Sequence, residues 1–294
     1  MKEIINVIIF CLILFIYLHV QYELKYSNYL EVNELNNPSK DKIEEIALKK
    51  QPILIINSDI FKETITMEFL LKNYSKYDIN LYDKNNDLFI TSKLDKYALN
   101  DSIDLSSILI SYNNSDFIEE TNLKDILKNN DYNLRSYYSI YNSYDMLLLK
   151  PNIFTELKYN IENRTLLYTF EGNIEITLIP PIYKKYLHTK NRYERLEYFS
   201  QINLNNIEDN YKDDYDKVKV ININLKSKEI LIIPSMWFYS IKTTSSDTIV
   251  FCNKYNTITN YIAHFNQHFF HLLQKNNLKI NNTKIITGEN NKYD

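Results

Sequence analysis

From Phe154 onward the chain reads as a series of short strands, and that series limits its body to a β architecture. Residues 165–170 and 174–179 are runs rich in β-branched and aromatic side chains. Glu171, Gly172 and Asn173 lie between them. Gly and Asn tolerate positive φ, so the two runs are predicted to form a hairpin. The chain has two glycines in 294 residues, and Gly172 is the one in its body. In so Gly-poor a sequence, a glycine here points to a backbone need that Asn does not meet. Residues 217–225 alternate through Val218, Val220, Ile223 and Leu225, and 230–233 and 248–252 are continuous apolar strands.

The segment before the strands is mixed. Ser39 is placed to cap a short helix over 40–48, and residues 52–56 read as a buried strand. A helix is predicted over 61–74 with Ile65, Phe69 and Leu70 on one face, and a second over 105–110. A terminal helix covers 259–274. Residues 4–20 are almost wholly apolar, broken only by Asn6 and His19, at the short end of what spans a bilayer. The residues that follow, Gln21 to Leu24, offer no small-residue cleavage site, so the run reads as an uncleaved single-pass anchor. Residues 21–40, with Asn36, Asn37 and Pro38, read as a linker or stem, 41–275 as the folded domain, and 276–294 as a polar tail. Lys2 and the N-terminal amine precede the run, which favours a domain outside the cytoplasm or in a lumen.

Composition removes several function classes. With 34 basic and 37 acidic residues the net charge is −3, without the basic excess of a nucleic-acid binder. Cys11 lies in the apolar run, which leaves Cys252 without an internal disulfide partner and offers no thiol cluster for zinc. Two glycines do not make a phosphate-cradling loop.

The strand region carries a set of motifs in order. Thr155, Lys158 and Asn160 come first, then Gly172, then Pro180-Pro181 closing a strand. An acidic stretch follows (Glu208, Asp209, Asp213, Asp214, Asp216), then Ile232-Ile233-Pro234 and Trp237-Phe238-Tyr239. Trp237 is the only tryptophan. The order and the spacings from Gly172 to Pro180 and from Pro234 to Trp237 resemble the JmjC-like, cupin-type 2-oxoglutarate Fe(II) oxygenases over about residues 40–275. The resemblance implies a mainly β fold with flanking helices, the double-stranded β-helix or jelly roll. In that family two His and one Asp hold Fe(II) and leave positions for 2-oxoglutarate and oxygen.

The matching positions here are Lys158, Asn160 and Tyr239. An ammonium carries no lone pair, an amide is neutral, and a phenol ligates only as phenolate. The family's co-substrate lysine falls at Ile174, while Thr155 and Asn253 are retained cavity positions. No iron triad and no cofactor are expected, so the resemblance implies a barrel acting as a binding or structural module. Fe(II) and 2-oxoglutarate enter only under the alternative, a divergent hydroxylase. Two other constellations remain. His264, His268 and His271 stand at metal-binding spacing if 259–274 is one helix, beside an apolar stripe of Ile258, Ile262, Phe265, Phe269 and Leu272 that reads as core or as a homodimer contact. Asp214-Tyr215-Asp216 has the form by which glycosyltransferases hold a metal, in what reads as an acidic loop. The expected partners are the membrane and a protein or small-molecule ligand that the sequence does not specify.

Overall fold

The computed structural model describes residues 2–56, 60, 65–83, 87–99, 110–244 and 247–275. Of the helix predicted over 105–110 only Ile110 is described, and it lies in a strand; the tail 276–294 lies outside the described residues. The chain begins with α1 (Lys2–Glu23), β1 (Asn33–Asn36), α2 (Lys40–Ala47), β2 (Ile53–Ile56) and α3 (Met67–Tyr74). It continues through β3 (Asp78–Asp83), β4 (Leu88–Lys93), α4 (Leu94–Leu99), β5 (Ile110–Ser111), α5 (Ser115–Glu120) and α6 (Leu123–Asn130). The strand series then runs β6 (Ser139–Leu149), β7 (Lys158–Tyr159), β8 (Arg164–Glu171), β9 (Ile174–Ile179), β10 (Thr189–Arg192) and β11 (Glu197–Ser200). After α7 (Asp209–Tyr215) come β12 (Ile221–Leu225), β13 (Ile230–Pro234), β14 (Phe238–Thr243) and β15 (Thr248–Thr257), and α8 (Ile258–Ala263) and α9 (Phe265–Lys275) close the described chain.

Among the described residues the strands form two sheets. The larger has the order β1-β2-β13-β8-β15-β6-β5-β3-β4, and the smaller β10-β11-β7-β14-β9-β12. All pairs are antiparallel except β1 with β2. Side chains alternate along a strand, and this divides the core in two. Leu166, Tyr168 and Phe170 of β8 face a layer of helices with Phe251 and Tyr255 of β15. Leu167 of β8 and Val250 and Cys252 of β15 face the space between the sheets, where Ile174, Ile176 and Leu178 of β9 meet them. Strands of the larger sheet are therefore buried on both faces and read as continuous apolar runs. The fold is mainly β, with two facing sheets and helices packed outside.

The Gly172 turn corrects the hairpin expectation. β8 and β9 belong to different sheets and do not pair. The turn carries the chain across the barrel from one sheet to the other. Gly172 has φ +81, and a Cβ there would lie 2.4 Å from Thr248 Oγ1 and 3.1 Å from the Asp247 carbonyl. We expect Gly172→Ala to lower stability by about 2–4 kcal/mol in urea unfolding, combining left-handed strain and overpacking. Gly172→Asn tolerates the φ but keeps the clash, so it is expected to remain destabilised. Recovery of wild-type stability by Asn would contradict this reading.

Other expectations shift for local reasons. Thr66 caps α3 by accepting from the Phe69 amide, so that helix starts at Met67 and Phe69 lies on its exposed side. Strand pairing in 217–225 is confined to β12, because only there does β9 offer a partner edge. The segment 21–40, expected as a linker, is built into the domain. α1 runs to Glu23, and β1 adds a parallel edge to β2.

Candidate functional site

The interior end of the barrel is built by β7, β14 and β15. Lys158 and Asn160 are two apart and point to the same face, toward the space between the sheets. β14 pairs Tyr239 with Lys158, which brings the three family-matched positions together as the sequence implied. The Asn160 amide Nδ2 donates to the Tyr239 hydroxyl at 3.1 Å and to Thr165 Oγ1 at 2.9 Å. Asn160, Thr165 and Tyr239 are all buried. The Lys158 ammonium lies over two aromatic faces, 5.0 Å from the Tyr112 ring centre and 5.7 Å from that of Tyr239. Cation–π attraction holds it there.

The protonation states follow from the surroundings. Burial pushes the Tyr239 hydroxyl well above the ordinary phenol value, and the neighbouring Cys252 reinforces the shift. Burial also raises the Cys252 thiol, although Lys254 and Lys158 pull the other way. Both groups are protonated at neutral pH, whereas a metal ligand must give up its proton. The Asp145 carboxyl is raised by burial too, against the amides of Asn114 and Asn113, both of which donate to it. Among the described residues no group of three His, Cys, Asp or Glu side chains is placed to hold a metal ion.

The remaining family-matched positions are structural. Ile174 is buried in the core between the sheets, opposite Leu225 and Thr243. Thr155 Oγ1 accepts from the Ile241 amide at 2.8 Å and staples its segment to β14. Asn253 departs from expectation. It pairs with Leu166 and Tyr144, whose side chains face the helix layer, so Asn253 turns away from the barrel interior. Its neighbour Cys252 occupies the interior face.

A cation closes the barrel mouth, a feature the sequence reading missed. Arg192 reaches Glu156 at 3.2 Å, Glu197 at 3.7 Å and Asp87 at 3.1 Å, and lies on the Phe199 ring at 3.8 Å. Burial raises the Glu197 carboxyl, opposed by Lys158 and by Arg195 and Arg192. Behind this cluster, beside Lys158 and Tyr112, a cavity of about 30 Å³ remains. That is the scale of one or two waters, far below the 300–1,000 Å³ of small-molecule sites.

The other constellations come apart. The terminal segment is two helices, because His264 leaves the helical path after Ala263. His264 and His268 stay near each other, while His271 turns to a backbone carbonyl. His264 is buried, His268 stacks on Tyr261 with ring centres 3.9 Å apart, and His271 Nδ1 lies 2.7 Å from the Tyr193 carbonyl. Burial, with His268 nearby, holds the His264 imidazole down at about 4. Burial likewise lowers His268. The stripe beside them is exposed rather than core. Asp214 and Tyr215 lie on α7 and Asp216 caps it, where residues two apart diverge. Asp214 is taken up by Lys217 and His188, each at 2.9 Å.

Residues 123–267 match the family model described as a cupin-like domain. No curated protein matches the chain.

Proposed function

The chain carries a cupin-like domain over residues 123–267, and from this premise we propose that it is a membrane-anchored, non-catalytic barrel acting as a binding or structural module. The observation that carries the reading is the closed bonding of the interior. Asn160, Thr165 and Tyr239 satisfy one another, and Lys158 rests on the Tyr112 and Tyr239 rings. An ammonium has no lone pair, and an amide and a protonated phenol are weak neutral donors, so this set does not fit Fe(II), which is held by imidazoles and a carboxylate. Ile174 likewise offers no charge for the carboxylate of 2-oxoglutarate, and the space behind Arg192 is too small for that molecule.

The anchor reading rests on α1. Residues 4–20 of this helix, at about 1.5 Å each, extend roughly 25 Å, the short end of what crosses a hydrocarbon core. The helix is apolar enough to span a membrane, a test that a signal sequence also passes. What favours an uncleaved anchor is the role of its last residue. Glu23 is buried in the domain and binds Lys50, Asn163, Thr257 and Thr259. Cleavage after Glu23 would remove it with the helix and leave those partners unmatched.

The experiment is 2-oxoglutarate turnover by the purified, iron-loaded full chain in detergent. The expected result is succinate formation no faster than in a protein-free iron control. Succinate formation that depends on the protein and is lost in Lys158→Ala or Tyr239→Phe would establish the divergent hydroxylase instead.

A further inference from the structure

The residues 255–274 contain no Asp, Glu, Lys or Arg, in a chain where 24% of residues are charged. This stretch forms α8 and most of α9. Its histidines are turned into the domain or onto a backbone carbonyl. Its outer side is Ile258, Ile262, Phe265, Phe269 and Leu272, each between 45 and 58% exposed. An apolar face of this extent marks an interaction surface.

The position of α1 identifies what covers it. α8 packs directly against α1. Between them and α2 runs a groove of about 1010 Å³, with Phe15, Ile16, Ile258 and Ile262 on its apolar side and Asp41, Glu44 and Glu45 of α2 on its polar side. Phe15 and Ile16 lie eight and seven positions before Glu23, about 10–12 Å up the helix at its rise of 1.5 Å per residue. One wall of the groove therefore belongs to the bilayer-spanning helix, and the facing wall belongs to the domain. A second exposed apolar strip adjoins it. Thr257, which caps α8, pairs with Ser139, and Asn256 with Tyr141. Tyr138, Ile140 and Tyr141 on that strand end are exposed. Tyrosines beside aliphatic residues, with no charge to desolvate, are the composition of a membrane interface.

We infer that the outer face of α8 and α9, with the Tyr138–Tyr141 strip, lies in the interface of the membrane that α1 spans, and that acyl chains fill the groove beside Phe15 and Ile16. The domain rests on the lipid surface rather than hanging from a stem. This inference depends on α1 being a membrane anchor.

The test uses the full chain in phosphatidylcholine vesicles, with an environment-sensitive fluorophore on single cysteines and doxyl-labelled phosphatidylcholine as quencher. Native Cys11 reports on the span. Phe269→Cys and Tyr138→Cys, each with Cys11→Ser, report on the face, and Asn224→Cys on the far sheet is the control; Cys252 is buried and does not label. The expected result is at least about twofold quenching at 269 and 138 by lipid doxyl-labelled near the headgroup, with 224 unchanged. Quenching at Cys11 with 269 and 138 no more affected than 224 would overturn the inference and leave the anchor intact. An unquenched Cys11 would overturn the anchor, and the inference with it. Phe269→Cys that escapes quenching and cross-links two copies through a disulfide would overturn it in favour of a homodimer contact.

Discussion

Glu23→Ala is expected to cost about 3–5 kcal/mol, the scale for removing one partner of a buried ion pair. The Glu23 carboxylate lies 2.8 Å from the Lys50 ammonium, with side chains 8% and 10% exposed. Its other oxygen accepts from Thr257 at 3.2 Å and Thr259 at 3.0 Å, and Asn163 donates at 3.2 Å. Alanine leaves Lys50 charged and buried. Burial alone would raise this carboxyl, but the charge and hydrogen bond of Lys50 and the two threonines outweigh it, so the folded pKa lies below the ordinary value of 4.5. A lowered folded pKa means that the stabilisation is complete above pH 4.5 and is lost as pH falls through the folded value. Wild type should therefore lose stability on acidification in that window, and Glu23→Ala should lack this component. Urea unfolding of the full chain in detergent, followed between pH 7 and pH 3, measures both. The double variant Glu23→Leu/Lys50→Met, which removes both charges at similar volume, should recover much of the loss. Equal stability of Glu23→Ala and wild type at neutral pH would remove the claim that α1 is fixed to the domain.

Trp237→Ala is expected to cost about 3–5 kcal/mol, the range for emptying a large aromatic site in a core. Trp237 is fully buried in the turn between β13 and β14. Its indole Nε1 donates to the Lys50 carbonyl at 3.1 Å. Lys50 sits at φ +54, a position for which a fixed hydrogen-bond partner matters. One residue thus receives Trp237 on its backbone and Glu23 on its side chain. Trp237→Phe keeps most of the apolar volume and removes the N–H, so a smaller loss of about 1–3 kcal/mol is expected. Because both contacts converge on Lys50, the effects of Trp237→Phe and Glu23→Ala should be non-additive in a double-mutant cycle. Strict additivity in urea unfolding would show that the contacts act independently.

The parts of this molecule that were legible in sequence are those fixed by local rules. Ser39 caps α2, as its position before the helix requires, and Ile230 to Ile233 form a strand buried on both faces. The spacing of Pro180, Pro234 and Trp237 marked the barrel. It also placed Lys158, Asn160 and Tyr239 at one point, since two of them share a strand face and the third is set by register. What was not legible depends on distant partners. The turn at Gly172 looks like a hairpin, and only the pairing of β8 with β13 and β9 with β14 shows that it joins two sheets. Glu23 looks like a polar flank of the apolar run, yet its partners stand 27 to 236 positions away. Arg192 sits in a charged stretch without a motif, and the carboxylates that hold it come from residues 87, 156 and 197. The break at His264 falls at a buried side chain, and helical periodicity reports neither.

We propose that the barrel interior is a closed hydrogen-bonded cluster and not a metal site. Anaerobic titration of the purified full chain with Fe(II), and with Co(II) as a spectroscopic reporter, tests it most directly. No saturable binding in the barrel is expected, and Lys158→Ala, Asn160→Ala and Tyr239→Phe should leave the titration unchanged. One equivalent of metal bound by wild type and lost in Asn160→Ala or Tyr239→Phe would contradict it.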